Sequence, residues 1–333
     1  MKLENLQLTN YRNFKEYSID FGKETTILIG KNGSGKTNLI AAIKQSLSFI
    51  FSKRKDELQY DFIASSDQDV ENFSTIDARY DYEKNPPDYS YPISIKAVAS
   101  DKGEIINWEF YKENSSINLE RELYGNANFQ FWSNYHINNK LTNDLPILVF
   151  FSDSYPHITT TITKKMQEKL SSGFPLPRNT AYYKWNEEKN CTEIWVQLFT
   201  MQWKNDKFQN GKGDKEYLSA VNRKIVEFSC TISDVTNSDN IKIEKLEIET
   251  RGKADILIVV FDNGIRVPFN QLPQGYKRIF SIVFDIANRS YLLNSNCNPS
   301  GIVIIDEIEL HLHPSIAQEI LTGLKSTLFV WQC

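Results

Sequence analysis

The sequence predicts an α/β fold that is built around a phosphate-binding loop. Three features support this prediction: a glycine-rich loop between an apolar run and a helical stretch, segments in which apolar and polar residues alternate, and a second apolar run that ends in two acids. Alternation is typical of half-buried strands, and short continuous apolar runs are typical of buried ones. The chain is therefore expected to combine buried strands and helices with an antiparallel β-subdomain.

The glycine-rich loop spans residues 30–37 and has the sequence GKNGSGKT. It follows the apolar run 26–29, which is expected to be a strand, and it opens a helical pattern over 38–50. The spacing G-x-x-x-x-G-K-[ST] in this context is typical of loops whose backbone N–H groups surround nucleotide phosphates. Lys36 is placed to reach the β- and γ-phosphates, and the Thr37 hydroxyl is placed to bind Mg²⁺. The loop predicts binding of ATP or GTP.

Periodicity predicts the other elements. Helices with short connectors are expected from residue 151 to about 231, and a long helix is expected over 276–293. The predicted strands are 3–8, 14–21, 74–80, 93–98, 105–110, 145–151, 241–248, 254–261, 265–267 and 301–305. A hairpin turn is expected at 262–264, between the strands 254–261 and 265–267. The predicted domains are 1–150, the first part of the nucleotide-binding fold; 151–235, an inserted helical subdomain; and 236–333, the second part of that fold.

Composition narrows the function classes. The 333 residues are 41% hydrophobic and carry a formal net charge of -4, so no global basicity indicates nucleic acid or an anionic membrane as partner. No apolar segment approaches the roughly 20 residues that a membrane-spanning helix needs, and the protein is expected to be cytoplasmic. The four cysteines, Cys191, Cys230, Cys297 and Cys333, lack metal-site spacing and are interpreted as reduced thiols.

Two acids follow the apolar strand 301–305. Asp306 is placed to hold Mg²⁺, and Glu307 is placed to orient or deprotonate an attacking water, as nucleotide hydrolysis requires. Strands also end in surface acids without any catalytic role. The phosphate loop earlier in the chain favours the catalytic interpretation.

A polar turn precedes the long helix about 30 residues before these acids. It has the sequence QLPQGYKR, over residues 271–278. The unpaired N–H groups and the positive dipole end of a helix start form an anion site, so this turn is a candidate second phosphate contact. The alternative is an ordinary helix start.

Four motifs together resemble the ATPase domain of the RecF/SMC/OLD group of ABC-type ATPases. They are LTNYRNF, GKNGSGKT, LPQGYKR and IIDEIELHLHP, and they span nearly the whole chain in the order that the group shows. Within the group, the chain is most similar to the AAA-family ATPases of bacterial anti-phage systems, the OLD-like and Septu PtuA-like proteins. The resemblance implies an ABC-type head that dimerises head-to-tail around ATP.

The resemblance also assigns roles by motif. It implies a Walker B pair, Asp306 and Glu307, a nucleotide-proximal Arg12, and contacts from Gln274 and Gly275 to the ATP of the partner subunit. The implied Walker A residues are Gly30, Asn32, Gly33, Ser34, Gly35, Lys36 and Thr37. The catalytic residues would be Glu307 and Lys36, the metal ligands Thr37 and Asp306, and the cofactors ATP and Mg²⁺.

The chain departs from the family pattern at two places. Pro273 and Gln274 stand where the usual LSGGQ signature has Ser and Gly. The family's switch histidine is expected after a further strand, beyond the helix that begins at Pro314, and the sequence stops at Cys333. We therefore expect a truncated chain that binds ATP but hydrolyses little. The Gln of the Q-loop is not assigned.

Three further groups of residues have competing interpretations. His311 and His313 invite a metal site, but their spacing belongs to the HLHP pattern, which favours a structural or dimer-contact role. The basic clusters 53–55 and 164–165 are interpreted as solvated surface, with DNA contact as the alternative. Three tryptophans, Trp185, Trp195 and Trp203, are expected in a helical core rather than on a stacking platform.

The leading functional hypothesis is an ATP-driven switch that acts on DNA or RNA in anti-phage defence or DNA repair. It would form a homodimer or higher oligomer, need no membrane, and work through a partner nuclease or a further domain. One alternative is a nucleotide-dependent scaffold with little turnover. Another is the ATPase subunit of an ABC transporter, which would be expected to carry a standard LSGGQ motif.

Overall fold

The chain forms two compact units, residues 1–143 and 144–333. The structure, a computed structural model, describes residues 1–31, 33–51, 72–101, 103–116, 122–125, 144–153, 164–171, 176, 178–187, 192–208, 213–236, 242–252, 254–297 and 300–328. The finer division at residues 150 and 235 stays a prediction.

The first unit contains a five-stranded antiparallel sheet with the order β2-β1-β5-β6-β7. Its strands are β1 (Lys2–Tyr11), β2 (Phe14–Asp20), β5 (Ile93–Asp101), β6 (Glu104–Lys112) and β7 (Glu122–Gly125). The register shifts between Leu3 and Asn5, and this irregularity lets Leu3, Leu6 and Leu8 all be buried although strict alternation would separate them. The sheet confirms the predicted antiparallel β-subdomain.

Helix α1 (Lys36–Leu47) follows the phosphate loop and continues into a 3-10 turn over Ser48–Phe51. The ring of Phe49 lies 4.2 Å from that of Trp108 on β6, and the Trp108 indole N–H donates to the Ser46 carbonyl. These contacts anchor the end of α1 on the buried face of the sheet.

The predicted strand at 74–80 is wrong over its first half. Ser74 caps a 3-10 turn at Thr75–Asp77, because the Asp77 carboxylate accepts hydrogen bonds from the Ser74 backbone N–H and hydroxyl. Only β3 (Arg79–Asp81) is extended, and it pairs with β4 (Asp88–Ser90) in a separate hairpin.

The predicted strand at 26–29 is also not formed. Ile27 is 63% exposed and Ile29 is 91% exposed, and only Leu28 of the apolar run is half-buried among the described residues. Apolar character favours a strand only where a neighbouring strand supplies hydrogen-bond partners, and none pairs with this segment among the described residues.

The second unit contains the parallel pair β8 (Ile147–Phe151) and β12 (Gly301–Ile305). It also contains an antiparallel sheet with the order β11-β10-β9, formed by β9 (Ile243–Arg251), β10 (Ala254–Phe261) and β11 (Arg266–Pro268). All five residues of β8 are buried, as the continuous apolar run predicts. The hairpin turn at 262–264 is confirmed.

Five helices complete the described part of this unit. They are α2 (Lys164–Ser171), α3 (Glu193–Phe208), α4 (Lys215–Thr236), α5 (Gln274–Asn294) and α6 (Pro314–Leu328). From Lys277 to Leu293 every residue of α5 is buried, so α5 forms the centre of the unit. None of the described helices is long and apolar enough to cross a membrane.

Candidate functional site

The phosphate loop folds around its own lysine. Gly33 and Gly35 have φ angles of 79° and 94°, which only glycine adopts without strain. The Lys36 ammonium donates to the carbonyl oxygens of Gly30 at 2.6 Å and Lys31 at 3.2 Å. The ammonium therefore lies against the loop backbone, where the phosphates of a nucleotide would be its alternative partners.

The other predicted loop residues lie around this lysine. Ser34 packs against Gly30, where an added Cβ would come within 2.6 Å of the Ser34 hydroxyl oxygen. Thr37 is exposed in the first turn of α1, so its hydroxyl is accessible to a metal ion. Asn32 lies outside the described residues.

The N-terminal motif LTNYRNF, residues 8–14, packs against the phosphate loop at Gly35. A Cβ on Gly35 would lie 2.6 Å from the Asn13 amide nitrogen and 3.0 Å from the Phe14 ring. The Asn38 side-chain amide donates to the Asn13 side-chain oxygen at 2.7 Å, which ties α1 to the turn after β1. Any residue other than glycine at position 35 would displace this support.

Arg12 is held by a buried acid. Its Nε and Nη2 donate to Asp77 Oδ1 at 3.0 and 2.9 Å, and its Nη1 lies 3.4 Å from Asn38 Oδ1 on α1. The second Asp77 oxygen accepts from Gln45 at 3.3 Å as well as from the 3-10 cap. The predicted contact of Arg12 with the nucleotide stays a prediction; its link to Asp77 was not foreseen, because 65 residues separate the two.

The predicted catalytic acids follow β12 in the second unit. The Asp306 backbone N–H donates to the Phe151 carbonyl at 2.9 Å, so pairing with β8 continues one residue past the strand. Glu307 then has a φ of 47°, in the left-handed region that is uncommon for residues other than glycine. Such strain costs about 1–3 kcal/mol and is concentrated at functional sites. Glu307 is exposed.

The signature-like turn begins α5. Pro273 is the N-cap residue and makes no side-chain capping bond, and Gln274 is exposed at the helix start. A Cβ on Gly275 would lie 2.5 Å from the His311 carbonyl oxygen, so the turn packs against the segment that follows the two acids in the same chain. The predicted action of Gln274 and Gly275 on a partner subunit stays a prediction.

Arg278 links α5 to the strand ends, and sequence reasoning missed it. Its Nη1 donates to the carbonyls of Ser152, at 3.0 Å, and Asp153, and its Nη2 donates to the carbonyls of Asp306 at 2.7 Å and Glu307 at 3.2 Å. Burial lowers the pKa of the guanidinium, and the negative charges of Asp153, Asp306 and Glu307 oppose this shift. Arg278 is the last residue of the motif QLPQGYKR, but the motif does not indicate its role, because its acceptors are 28 to 126 residues away.

The structural or dimer-contact role of His311 and His313 stays a prediction. The backbone N–H groups of Ile316 and Ala317 donate to the His313 carbonyl, which caps α6 just before Pro314. No group of three or more His, Cys, Asp or Glu side chains that could hold a metal ion occurs among the described residues.

The remaining candidates divide as follows. Trp185 and Trp195 are buried and Trp203 is half-buried on α3, so all three contribute to packing as predicted, although Trp185 lies in a turn. The basic cluster 53–55 lies outside the described residues. Lys164, in the other cluster, is exposed at the start of α2.

A family profile matches the chain with these motifs in place. The profile of the AAA ATPase domain matches residues 1–329. The chain belongs to the AAA ATPase domain family. It is therefore an ATPase domain with an α/β fold.

Curated relatives agree with this assignment. The Retron Ec83 probable ATPase of Escherichia coli is 26% identical over 98% of this chain and 66% of the relative. The Retron Vc95 probable ATPase of Vibrio cholerae is 25% identical over 98% of this chain and 68% of the relative. The chain thus spans about two thirds of the length of these relatives. A RecF protein of Clostridioides difficile, named for DNA replication and repair, is 34% identical over 23% of each chain.

Two solved structures are similar at low identity. The first is the SMC head domain from Thermotoga maritima, which is 13% identical, with 98% of this chain and 85% of that chain covered and a TM-score of 0.47. The second is a RecF–ATP structure, which is 14% identical, with 98% of this chain and 90% of that chain covered and a TM-score of 0.46. The predicted AAA-family ATPase is confirmed by the family profile. The narrower resemblance to OLD-like and PtuA-like proteins stays a prediction.

Proposed function

We propose that this protein is a magnesium-dependent ATPase that uses ATP to switch between two states and thereby controls an activity on nucleic acid. In this proposal Lys36 binds the β- and γ-phosphates, Thr37 and Asp306 are the Mg²⁺ ligands, and Glu307 is the general base. The family match supports ATP, and the oxygen donors of a hydroxyl and a carboxylate suit Mg²⁺.

The geometry of the phosphate loop carries the proposal. Two glycines with positive φ curl the backbone, and the Lys36 ammonium occupies the inside of the curl on carbonyl oxygens. Phosphate oxygens carry more negative charge than these carbonyls and form stronger, charge-assisted hydrogen bonds with an ammonium. Binding of a nucleotide would therefore turn the ammonium from the loop carbonyls to the phosphates.

The switch and its target are the wider part of the proposal. Two subunits would close around ATP, with Gln274 and Gly275 of one subunit facing the nucleotide of the other. The start of α5 supports this, because the N-cap residue Pro273 makes no side-chain capping bond and the N–H groups of a helix start favour an anion. The name of the RecF relative, a DNA replication and repair protein, supports a nucleic-acid target in DNA repair. Antiviral defence with a separate nuclease is the alternative that the resemblance to anti-phage ATPases implies.

Calorimetric titration with ATP and Mg²⁺ tests nucleotide binding. Lys36→Ala should abolish measurable binding while the circular dichroism spectrum stays unchanged, because the loop loses the ammonium that would bind the β- and γ-phosphates. Lys23→Ala, which removes an exposed cation seven residues before the loop, is the matched control and should bind as the wild type does. Equal affinity of the two variants would overturn the assignment of Lys36.

A second measurement tests the target. Mobility-shift titrations with duplex DNA, single-stranded DNA and single-stranded RNA, each with ATP, with ADP and without nucleotide, should show binding that depends on ATP. Binding that is the same in all three nucleotide states would contradict a switch. Absence of binding to any of the nucleic acids would contradict the proposed target and leave the ATPase assignment intact.

A further inference from the structure

We propose that Arg278 is the residue that positions Glu307, by fixing the backbone on both sides of the Glu307 Cα. The inference rests on the proposed role of Glu307 as general base. It adds a residue outside the predicted Walker motifs. The first turns of α5 would then contact the partner's ATP and also position Glu307 within the same chain.

The contacts of one guanidinium nitrogen carry the inference. Arg278 Nη2 donates to the Asp306 carbonyl and to the Glu307 carbonyl. The Asp306 carbonyl belongs to the peptide group before the Glu307 Cα, and the Glu307 carbonyl belongs to the peptide group after it. Holding both peptide groups fixes φ and ψ of Glu307 together, and with them the direction of its Cα–Cβ bond.

The conformation that is fixed needs such support. A left-handed backbone at a residue with a Cβ is unfavourable and persists only where its surroundings determine it. The Glu307 side chain is exposed and contributes little packing of its own. The two hydrogen bonds from Arg278 supply the constraint from the buried side of the strand end.

The second terminal guanidinium nitrogen, Nη1, anchors Arg278 itself. Its Nη1 donates to the carbonyls of Ser152 and Asp153, which follow β8, the strand paired with β12. Arg278 is only 1% exposed, so water does not compete for these bonds. The planar fork of donors therefore sets the end of β12 in register with the end of β8, and a lysine, with one compact ammonium, cannot span both.

The chain provides a matched control for a merely structural arginine. Arg289 lies on the same helix 11 residues later, is also fully buried, and donates to the backbone carbonyls of Ala181 and Tyr183 as well as to Asp285. Its backbone acceptors lie in the turn region around residue 182 and are not the carbonyls of residues 306 and 307 that Arg278 binds. Arg278→Lys and Arg289→Lys thus remove the same chemistry from two places on one helix.

Hydrogen exchange measured by mass spectrometry on the intact protein tests the linkage without any need for turnover. Arg278→Lys should raise exchange in the peptide covering 301–312 by about tenfold or more, whereas Arg289→Lys should raise it in the peptide covering 178–187. Arg278→Gln is made in parallel, because a neutral amide donates to carbonyls without burying an ammonium. Equal exchange in 301–312 for Arg278→Lys, Arg278→Gln and Arg289→Lys would overturn the inference.

Steady-state kinetics and a double mutant test the catalytic consequence. Arg278→Lys should lower kcat by about 10²-fold, as expected for a misplaced catalytic group, with KM within about a factor of two. In the Glu307→Gln background the same substitution should change the rate hardly at all, because the group it positions is already gone. An additive loss in the double mutant would show that Arg278 acts on something else.

The outcomes separate this inference from the proposed function. If Glu307→Gln alone leaves the rate unchanged, Glu307 is not the general base and the proposed function fails at that residue. The exchange experiment still decides whether Arg278 holds the backbone of residues 306 and 307. If Glu307→Gln abolishes turnover but Arg278→Lys does not alter kcat, the proposed function stands and the positioning role is wrong.

Discussion

The phosphate loop and the acid-bearing end of β12 are organised in different ways. Lys36 finds its partners five and six residues earlier, within the loop that carries it. The backbone of Glu307 is held by Arg278, which lies 29 residues earlier and is itself anchored 125 and 126 residues before its own position. The phosphate loop is therefore a local motif, and the acid-bearing strand end is assembled by tertiary structure.

This difference has a consequence for the phosphate loop and for the end of β12. A local loop keeps its shape even though the apolar run before it, residues 26–29, is not paired among the described residues. The strained end of β12 depends on a buried arginine and on the pairing of two strands. Distant substitutions should therefore disturb hydrolysis more than they disturb nucleotide binding.

The largest expected effect separates chemistry from binding. In a version extended to the full length of the curated relatives, Glu307→Gln should keep ATP bound and lower turnover by about 10²–10⁴-fold, the range for loss of a general base. Glu309→Gln, which neutralises an exposed acid two residues later, should leave the rate near that of the wild type. Rates are compared at saturating ATP, and ATP retention is measured by filter binding. An equal loss of turnover in both variants would mean that only local charge matters.

Sequence reasoning predicted the elements that short patterns mark, in both regions. The loop, the helix after it, β8, the long helix α5 and the acids after β12 all follow from short patterns. It did not find Arg278, because a basic residue in the first turns of a helix is ordinary until its depth is known. The sequence likewise predicts Asp77 within the alternating strand 74–80. Its hydrogen-bond partners, Arg12 and Gln45, are not near it in sequence, so no short pattern indicates them.

The next effect concerns a buried ion pair in the second unit. Asp285 on α5 is fully buried, pairs with Arg289 and accepts a hydrogen bond from the Trp195 indole at 2.6 Å. Asp285→Asn should lower the free energy of unfolding by about 3–5 kcal/mol, because it leaves a buried cation without its counterion. Urea denaturation measures the change. The double variant Asp285→Leu/Arg289→Met should recover much of the loss, and no recovery would contradict this explanation.

The corresponding acid of the first unit should matter less. Asp77 is also buried, but Arg12 is 26% exposed and can be hydrated when its partner is lost. Asp77→Asn should therefore lower the free energy of unfolding by about 1–3 kcal/mol in urea denaturation. Asp20→Asn, at an exposed acid that accepts from Asn5, is the control and should change it by less than about 0.5 kcal/mol. A loss at Asp77 as large as that at Asp285 would contradict the contrast between the units.

Dimerisation tests the start of α5. Gly275 is unsuitable for this purpose, because any Cβ there would clash with the His311 carbonyl of the same chain. Gln274→Glu adds one negative charge to an exposed side chain. If this side chain faces the γ-phosphate bound to the partner subunit, charge repulsion should weaken ATP-dependent dimerisation about tenfold. ATP binding to the monomer should be kept. Analytical ultracentrifugation with ATP measures it. The control is Gln271→Glu, three residues earlier and also exposed; equal weakening in both variants would argue against a specific contact.

The two wrong strand predictions have one physical cause. Apolar or alternating residues favour extended backbone, but a strand also needs a partner that satisfies its N–H and C=O groups. Residues 26–29 have none among the described residues, and at 74–77 the Asp77 carboxylate satisfies the Ser74 backbone N–H instead. At both places the side-chain pattern favours extended backbone, and the missing or competing hydrogen-bond partner decides the outcome.

The smallest expected effect lies on the surface of the β9-β10-β11 sheet. Arg266 donates to Glu247 at 2.8 Å, and hydrogen bonds from Lys245 first and Arg266 second lower the pKa of Glu247, against burial that raises it. Arg266 is 47% exposed, so the Arg266–Glu247 coupling should be at most about 1 kcal/mol at pH 7. A double-mutant cycle of Arg266→Ala and Glu247→Gln, followed by urea denaturation, measures it.

The sign of the pH dependence follows from the direction of the shift. A carboxylate whose pKa is lower in the folded state stabilises the fold above its ordinary pKa, 4.5 for Glu247, and this contribution falls as pH drops through the folded pKa. The coupling should therefore be full at pH 7, decline below about pH 4.5 and vanish once Glu247 is protonated in the folded state. A coupling that persists undiminished at the acid end of the titration would mean that packing of the arginine stem, rather than charge, joins the two strands.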